Sequence, residues 1–129
     1  MIEGACHCGR AGWRFNGVPK SASICNCSTC RRYAALWAYG AEGVEIEVSG
    51  ETQTYVWGRK WLAFHFCPHC GCMVYWRTIA PQRHGRHQMG VNVRLAPWDA
   101  IRALPLRRHD TESKDDLPPD GRCVADMLF

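Results

Sequence analysis

Seven of the nine cysteines in this 129-residue chain fall into three tight clusters, and no other feature limits the fold as strongly. They are Cys6-His7-Cys8, then Cys25-Asn26-Cys27-Ser28-Thr29-Cys30, then Cys67-Pro68-His69-Cys70, which runs on through Gly71 to Cys72. Tetrahedral zinc binds sulfur at about 2.3 Å and needs neighbouring sulfurs within roughly 4 Å, so short intervals that turn two side chains to one side are required. A C-x-C pair on an extended chain meets that need, because side chains repeat every second residue. A C-x-x-C pair needs a tight turn, and Pro68 with Gly71 supplies the chemistry for one. Cysteine at about 7% of a short chain can also mean a disulfide scaffold. The odd count, the clustering and a start that reaches Cys6 with no room for a signal peptide argue for metal instead, and for a cytoplasmic protein.

Two distant half-sites, Cys6 with Cys8 and Cys67 with Cys70, complete one closed four-cysteine site, the pattern of a structural zinc. The middle cluster offers three thiolates, Cys25, Cys27 and Cys30. Three protein ligands with one open position are what a catalytic zinc presents. His65, His69, Cys72 or Cys123 are the residues that could close that position. Cys72, two residues past Cys70 in a strand-like run, reads rather as a small buried apolar residue, and Cys123 as incidental.

Composition suits one globular domain: 47% of residues are apolar and 22% charged. The longest apolar run, Tyr33 to Ala41, is far short of the roughly 20 residues that cross a bilayer, so no membrane span is expected. Thirteen arginines against three lysines and a formal charge of +4 raise the question of nucleic acid. Seven zinc-bound thiolates and two zinc ions would bring that charge to about +1, so net charge alone says little about partners.

The dominant periodicity is two. Val44, Ile46 and Val48 alternate with Glu45 and Glu47, and short alternating or aromatic runs recur at 52–57, 62–66, 72–78 and 88–95. Gly50, Gly58, Gly71 and the stretch from Pro81 to Gly85 punctuate them. A mainly antiparallel β fold follows. Helix is limited to a turn at Ser28–Tyr33, with Ser28 as a candidate cap, and a short start at Trp98–Ile101 behind Pro97. Beyond Arg107 the chain turns to charge and proline, which reads as a loosely packed C-terminal tail over 109–129, with Val124, Met127, Leu128 and Phe129 as its apolar anchors.

The segments Gly4-Ala5-Cys6-His7-Cys8-Gly9, Cys25-Asn26-Cys27-Ser28-Thr29-Cys30-Arg31-Arg32 and Phe66-Cys67-Pro68-His69-Cys70-Gly71-Cys72 resemble the glutathione-dependent formaldehyde-activating enzyme family, which shares its domain with centromere protein V. Order and spacing of all three agree, and the resemblance covers residues 3–108. It implies a β-tent of small antiparallel sheets held by zinc. It also implies two zinc ions per chain, one structural at Cys6, Cys8, Cys67 and Cys70 and one catalytic at Cys25, Cys27 and Cys30. The implied activity is carbon–sulfur lyase chemistry, the reversible formation of S-(hydroxymethyl)glutathione from glutathione and formaldehyde.

An open three-thiolate zinc suits a small thiol better than a water nucleophile, because three thiolates leave the site formally anionic and damp its Lewis acidity. Arg31 and Arg32 follow the last ligand and could meet substrate carboxylates. His65 and Tyr75 are acid–base candidates on flanking strands, and His69 reads as an exposed turn residue. The rival reading is a zinc-stabilised binding module without catalysis, with nucleic acid as its candidate partner, supported by Arg83, Arg86, Arg94, Arg102, Arg107 and Arg108. Its aromatics are not interleaved with that basic set as a single-strand groove requires. A zinc protein that senses oxidation through the middle cluster is the third reading.

Overall fold

The structure, a computed structural model, describes residues 1–128. Phe129 and the side chain of Leu128, two of the expected apolar anchors, lie outside the described residues. The fold is mainly β: eleven strands in two sheets with three short helices among the described residues.

The smaller sheet pairs β1 (Ile2–Ala5) with β2 (Gly12–Phe15), and β2 with β5 (Ile46–Ser49), all antiparallel. The larger sheet contains β3 (Ala22–Cys25), β4 (Trp37–Ala41), β6 (Gln53–Tyr55), β7 (Leu62–Phe66), β8 (Met73–Thr78), β9 (Gln88–Asn92), β10 (Leu106–Asp110) and β11 (Asp115–Asp116). Its spatial order is β11-β10-β3-β4-β9-β8-β7-β6, antiparallel throughout except where β10 runs parallel to β3.

Alternation accounts for much of this. In β5, Ile46 is buried and Glu47 exposed. The expected run begins two residues early, because Val44 sits exposed in the preceding turn, where its N–H reaches the Ala41 carbonyl. Residues 88–95 split into β9 and a 3₁₀ turn at Val93–Leu95, which Asn92 caps by accepting from the Arg94 N–H. The principal core lies between the two sheets, with Trp13, Phe15 and Ile46 on one side and Val74, Met89 and Val91 on the other. Each such side chain stabilises by about 1.5–3 kcal/mol on removal from water. A second cluster, Ala35, Trp37, Phe64 and Met73, packs around Cys30.

The helices are α1 (Ser28–Tyr33), α2 (Trp98–Ile101) and α3 (Val124–Leu128). Cys27, not Ser28, is the N-cap of α1.

The segment after Arg107 is tied down at its two ends, while residues 111–122 between them are exposed as its composition suggests. β10 docks in register on β3, Leu106 opposite Ala22 and His109 opposite Cys25. Val124 is fully buried and donates its N–H to the Leu104 carbonyl. The charges that made the segment look solvated are spent locally, Arg107 on Asp116 at 3.3 Å and Arg108 on Asp120 at 3.5 Å. Neutralised in pairs, they allow a polar strand to add to a sheet edge.

Candidate metal centres

The β1–β2 turn carries Cys6 and Cys8, and the β7–β8 turn carries Cys67 and Cys70. The first turn closes with the Gly9 N–H on the Cys6 carbonyl, the second with the Gly71 N–H on the Cys67 carbonyl, both at 2.9 Å. Gly71 has φ +80°, a left-handed conformation that disfavours any residue with a Cβ. The four sulfurs lie within 4.8 Å of one another, with Cys8 at 3.6 Å from both Cys6 and Cys67. A sulfur tetrahedron around zinc has edges of about 3.8 Å at the usual Zn–S distance. The donor set therefore fits zinc. Backbone N–H groups point at the sulfurs as they do at metal-bound thiolates: Ala11 at Cys6 (3.3 Å) and Cys70 at Cys67 (3.5 Å). Amides of Cys72 and Cys8 pull the Cys70 thiol down to about 5. Cys6 and Cys67 are buried, and neither cavity described below opens onto the group.

Cys25, Cys27 and Cys30 also hold their sulfurs within 4.8 Å, at the end of β3 and the start of α1. Helix geometry brings Cys30 back over Cys27, whose Sγ accepts the Cys30 N–H at 3.3 Å and so doubles as the cap. Cys25 accepts from the Cys27 N–H at 3.5 Å, and Cys30 from the Trp37 indole N–H at 3.4 Å. The shared hydrogen bond with Cys30, helped by the Cys27 amide and the Thr111 hydroxyl, draws the Cys25 thiol down to about 5. The same interaction pushes Cys30 up. The set offers three preorganised sulfurs, and no fourth His, Cys, Asp or Glu ligand joins them among the described residues.

Two cavities of about 450 Å³ each have Cys25 and Cys30 in their walls. One is aromatic, lined by Trp37, Tyr39, Trp57, Trp61, Phe64 and Trp76, with Arg59 as its one charged side chain. The other has Arg31, Arg94, Arg108 and His109 around an apolar floor. A larger groove of about 780 Å³ runs along β1 and β2, but no cysteine lines it.

The remaining sequence candidates are scattered. Arg31 lines the second cavity, whereas Arg32 donates to the Ser28 carbonyl at 2.8 Å. His65 is buried, stacked on Tyr75 at 4.4 Å and paired with the Thr52 hydroxyl at 2.8 Å; burial pushes it down to about 4. Neither His65 nor Tyr75 lines a cavity at the three cysteines. His69 is exposed in its turn. Cys72 is half-buried beside the four-cysteine group and accepts the His7 N–H at 3.5 Å, so it is more than a packing residue. Cys123 faces Asp126 at 3.4 Å, away from both groups. The arginine set is divided: Arg102 lies over the Trp98 ring, and Arg107 and Arg108 pair with aspartates.

Sequence reasoning missed the support that β10 and the residues after it give the three-cysteine loop. Asn26 donates to Asp110 at 2.8 Å and accepts from the Thr111 N–H at 2.8 Å, while the Thr111 hydroxyl lies 3.7 Å from Cys25 Sγ. It also missed the aromatic cavity, whose aromatic residues are spread from Trp37 to Trp76. Only the four tryptophans between residues 37 and 76 could have pointed there.

The sequence profile of the glutathione-dependent formaldehyde-activating enzyme family matches residues 1–104. A crystal structure of a Rhodobacter sphaeroides protein is 29% identical, with a TM-score of 0.56 over 72% of this chain and 85% of that one. No curated protein matches. No helix among the described residues is long and apolar enough to cross a membrane. With four-fifths of its length matched and its cysteines gathered into two metal-competent groups, the chain belongs to the glutathione-dependent formaldehyde-activating enzyme family.

Proposed function

We propose that the chain is a carbon–sulfur lyase that joins a small thiol to a carbonyl carbon and cleaves the adduct, with zinc at both cysteine groups. Cys6, Cys8, Cys67 and Cys70 hold the structural ion, and Cys25, Cys27 and Cys30 the catalytic one. The observation that carries this reading is that Cys25 and Cys30 stand in the walls of two cavities, whereas Cys6, Cys8, Cys67 and Cys70 line neither of them. Zinc there supplies the charge that keeps a thiol deprotonated at neutral pH.

In the forward direction the thiol sulfur bonds to the carbonyl carbon, the C=O π pair moves to oxygen, and the proton given up by the thiol ends on that oxygen. Lysis is the reverse. Tyr39, the one hydroxyl in the walls of the aromatic cavity, passes that proton. Arg31 and Arg94, which no acidic side chain pairs with among the described residues, orient the carboxylates of a glutathione-like thiol from the second cavity.

The test is calorimetric titration of the zinc-loaded protein with glutathione in two buffers of different ionisation enthalpy. Glutathione should bind and release about one proton, because a metal-bound thiol is deprotonated. S-methylglutathione should bind far more weakly. Equal binding of the two, or no proton release, overturns the reading. Tyr39→Phe keeps the ring on Trp76, 5.8 Å away, and should lower the turnover of thiol and aldehyde while leaving glutathione affinity unchanged.

A further inference from the structure

A one-carbon electrophile does not need the aromatic cavity. Formaldehyde brings a unit of about the volume of a water molecule, some 30 Å³, to a space of about 450 Å³. Four of the six tryptophans of the chain line that space. Trp37 and Phe64, both buried, pack against each other at 6.3 Å, and Tyr39 packs against Trp76 at 5.8 Å, so the wall is built of tilted ring pairs. Gly90 on β9 lies under the Trp76 indole, and any Cβ at that position would collide with it. Room has thus been kept for a large ring in the cavity wall.

The rim is formed by the β6–β7 turn, closed by the Lys60 N–H on the Trp57 carbonyl at 3.1 Å. It presents Trp57 and Trp61, 43% and 70% exposed, at the mouth. Indoles left that open in a small domain mark a binding surface. Arg59 is the one charge in the lining, and no carboxylate is there to meet an ammonium. Glutathione, with two carboxylates and an ammonium, would leave charged groups unsatisfied on this side. The second cavity at Cys25 and Cys30, with Arg31 and Arg94 in its walls, is where the carboxylates find partners.

We infer that the adducts handled here carry a flat aryl group on the carbon next to sulfur, seated in the aromatic cavity while the thiol half lies toward Arg31 and Arg94. The carbonyl substrate is then an aromatic aldehyde rather than formaldehyde. This rests on the proposed thiol site at Cys25, Cys27 and Cys30.

The test titrates the zinc-loaded full chain by calorimetry with phenylmethanethiol, ethanethiol and benzyl methyl sulfide. Phenylmethanethiol should bind at least ~10-fold more tightly than ethanethiol, from the apolar area and ring contacts it gains. Trp57→Ala and Trp61→Ala truncate exposed side chains, so folding and zinc content should hold; each should shrink that preference severalfold and leave ethanethiol affinity within about twofold. Ethanethiol binding with no aryl preference, or a preference that survives both truncations together, overturns the inference and leaves the thiol site standing. Equal binding of phenylmethanethiol and its S-methyl analogue, still dependent on the tryptophans, supports the aryl cavity and removes the thiol site. No binding by any probe removes both.

Discussion

The four-cysteine group is assembled across a gap of fifty-nine residues, from Cys8 to Cys67, whereas the three-cysteine group comes from six consecutive residues. A metal in the first clips the β1–β2 turn to the β7–β8 turn and closes a long loop of chain. A metal in the second closes nothing that α1 and β3 have not already closed. Burial is mixed in both, with Cys6 and Cys67 buried in the first and Cys30 in the second, but Cys25, Cys27 and Cys30 stand in the wall of a cavity. Two groups of the same donor chemistry thus differ in how far apart in the chain their cysteines start and in what stands over them.

The sharpest way to break the comparison is Cys67→Ser. Structural zinc contributes on the order of 10 kcal/mol to folding, so this variant should be unfolded or insoluble, as circular dichroism and zinc content would show. A Cys67→Ser protein that melts like the wild type would defeat the assignment of a structural clip.

Cys27→Ser should instead stay folded, retain the zinc at the four-cysteine group and lose thiol binding. Serine is itself a good N-cap, so this change removes a ligand while keeping the start of α1. Cys27→Ala removes both, and should lie about 1 kcal/mol below Cys27→Ser in urea unfolding. If the two variants match, the capping role of the Cys27 sulfur is wrong.

Loss of the Asn26 clamp should have a smaller effect. Asn26→Ala breaks the bonds to Asp110 and Thr111 and should cost about 1–2 kcal/mol, with faster zinc release from the three-cysteine group and unchanged release from the other. Zinc release to a coloured chelator resolves the two phases. Equal acceleration of both phases would mean that the clamp does not act on the three-cysteine loop.

The smallest effect is one of protonation. The Asn26 amide, with the Ser113 and Glu112 groups behind it, lowers Asp110 from 3.8 to about 2. The group is depressed in the folded state, so its stabilising contribution is complete above the ordinary carboxylate value and is lost as pH falls through about 2. Asp110 should still be ionised at pH 4, and in Asn26→Ala its midpoint should move up toward 3.8. Carboxyl carbon NMR shifts read both. A wild-type midpoint near 3.8 would show that the clamp is absent in solution.

How much of this was legible beforehand depended on the range of the physics involved. Ser28–Tyr33 was readable as a helix turn from local signals, but its cap was not, because a thiol at Cys27 lies outside the usual set of capping residues. Val44 was misplaced by its alternation with Ile46, since periodicity does not show where a turn begins. Beyond Arg107 the chain read as a loosely packed tail because each charge was weighed singly. Asp116 and Asp120 pair with Arg107 and Arg108 only after the chain has turned back on itself. His65 and Tyr75 looked like acid–base groups until their burial against each other was visible.

The sequence by itself determined which cysteines gather into metal-competent groups, because the short spacing of Cys6 with Cys8, of Cys67 with Cys70, and among Cys25, Cys27 and Cys30 limits where each sulfur can go, whatever surrounds it. It determined the β class as well, through a period of two that only a pleated strand satisfies. Tertiary structure alone decided what each metal group faces. Trp37 and Tyr39 come from β4, Phe64 from β7, Trp76 from β8, Trp57 and Trp61 from a turn, and Thr111 from the turn after β10, far down the chain. A cavity is the space left between elements that pack for other reasons. No local pattern along the chain encodes it.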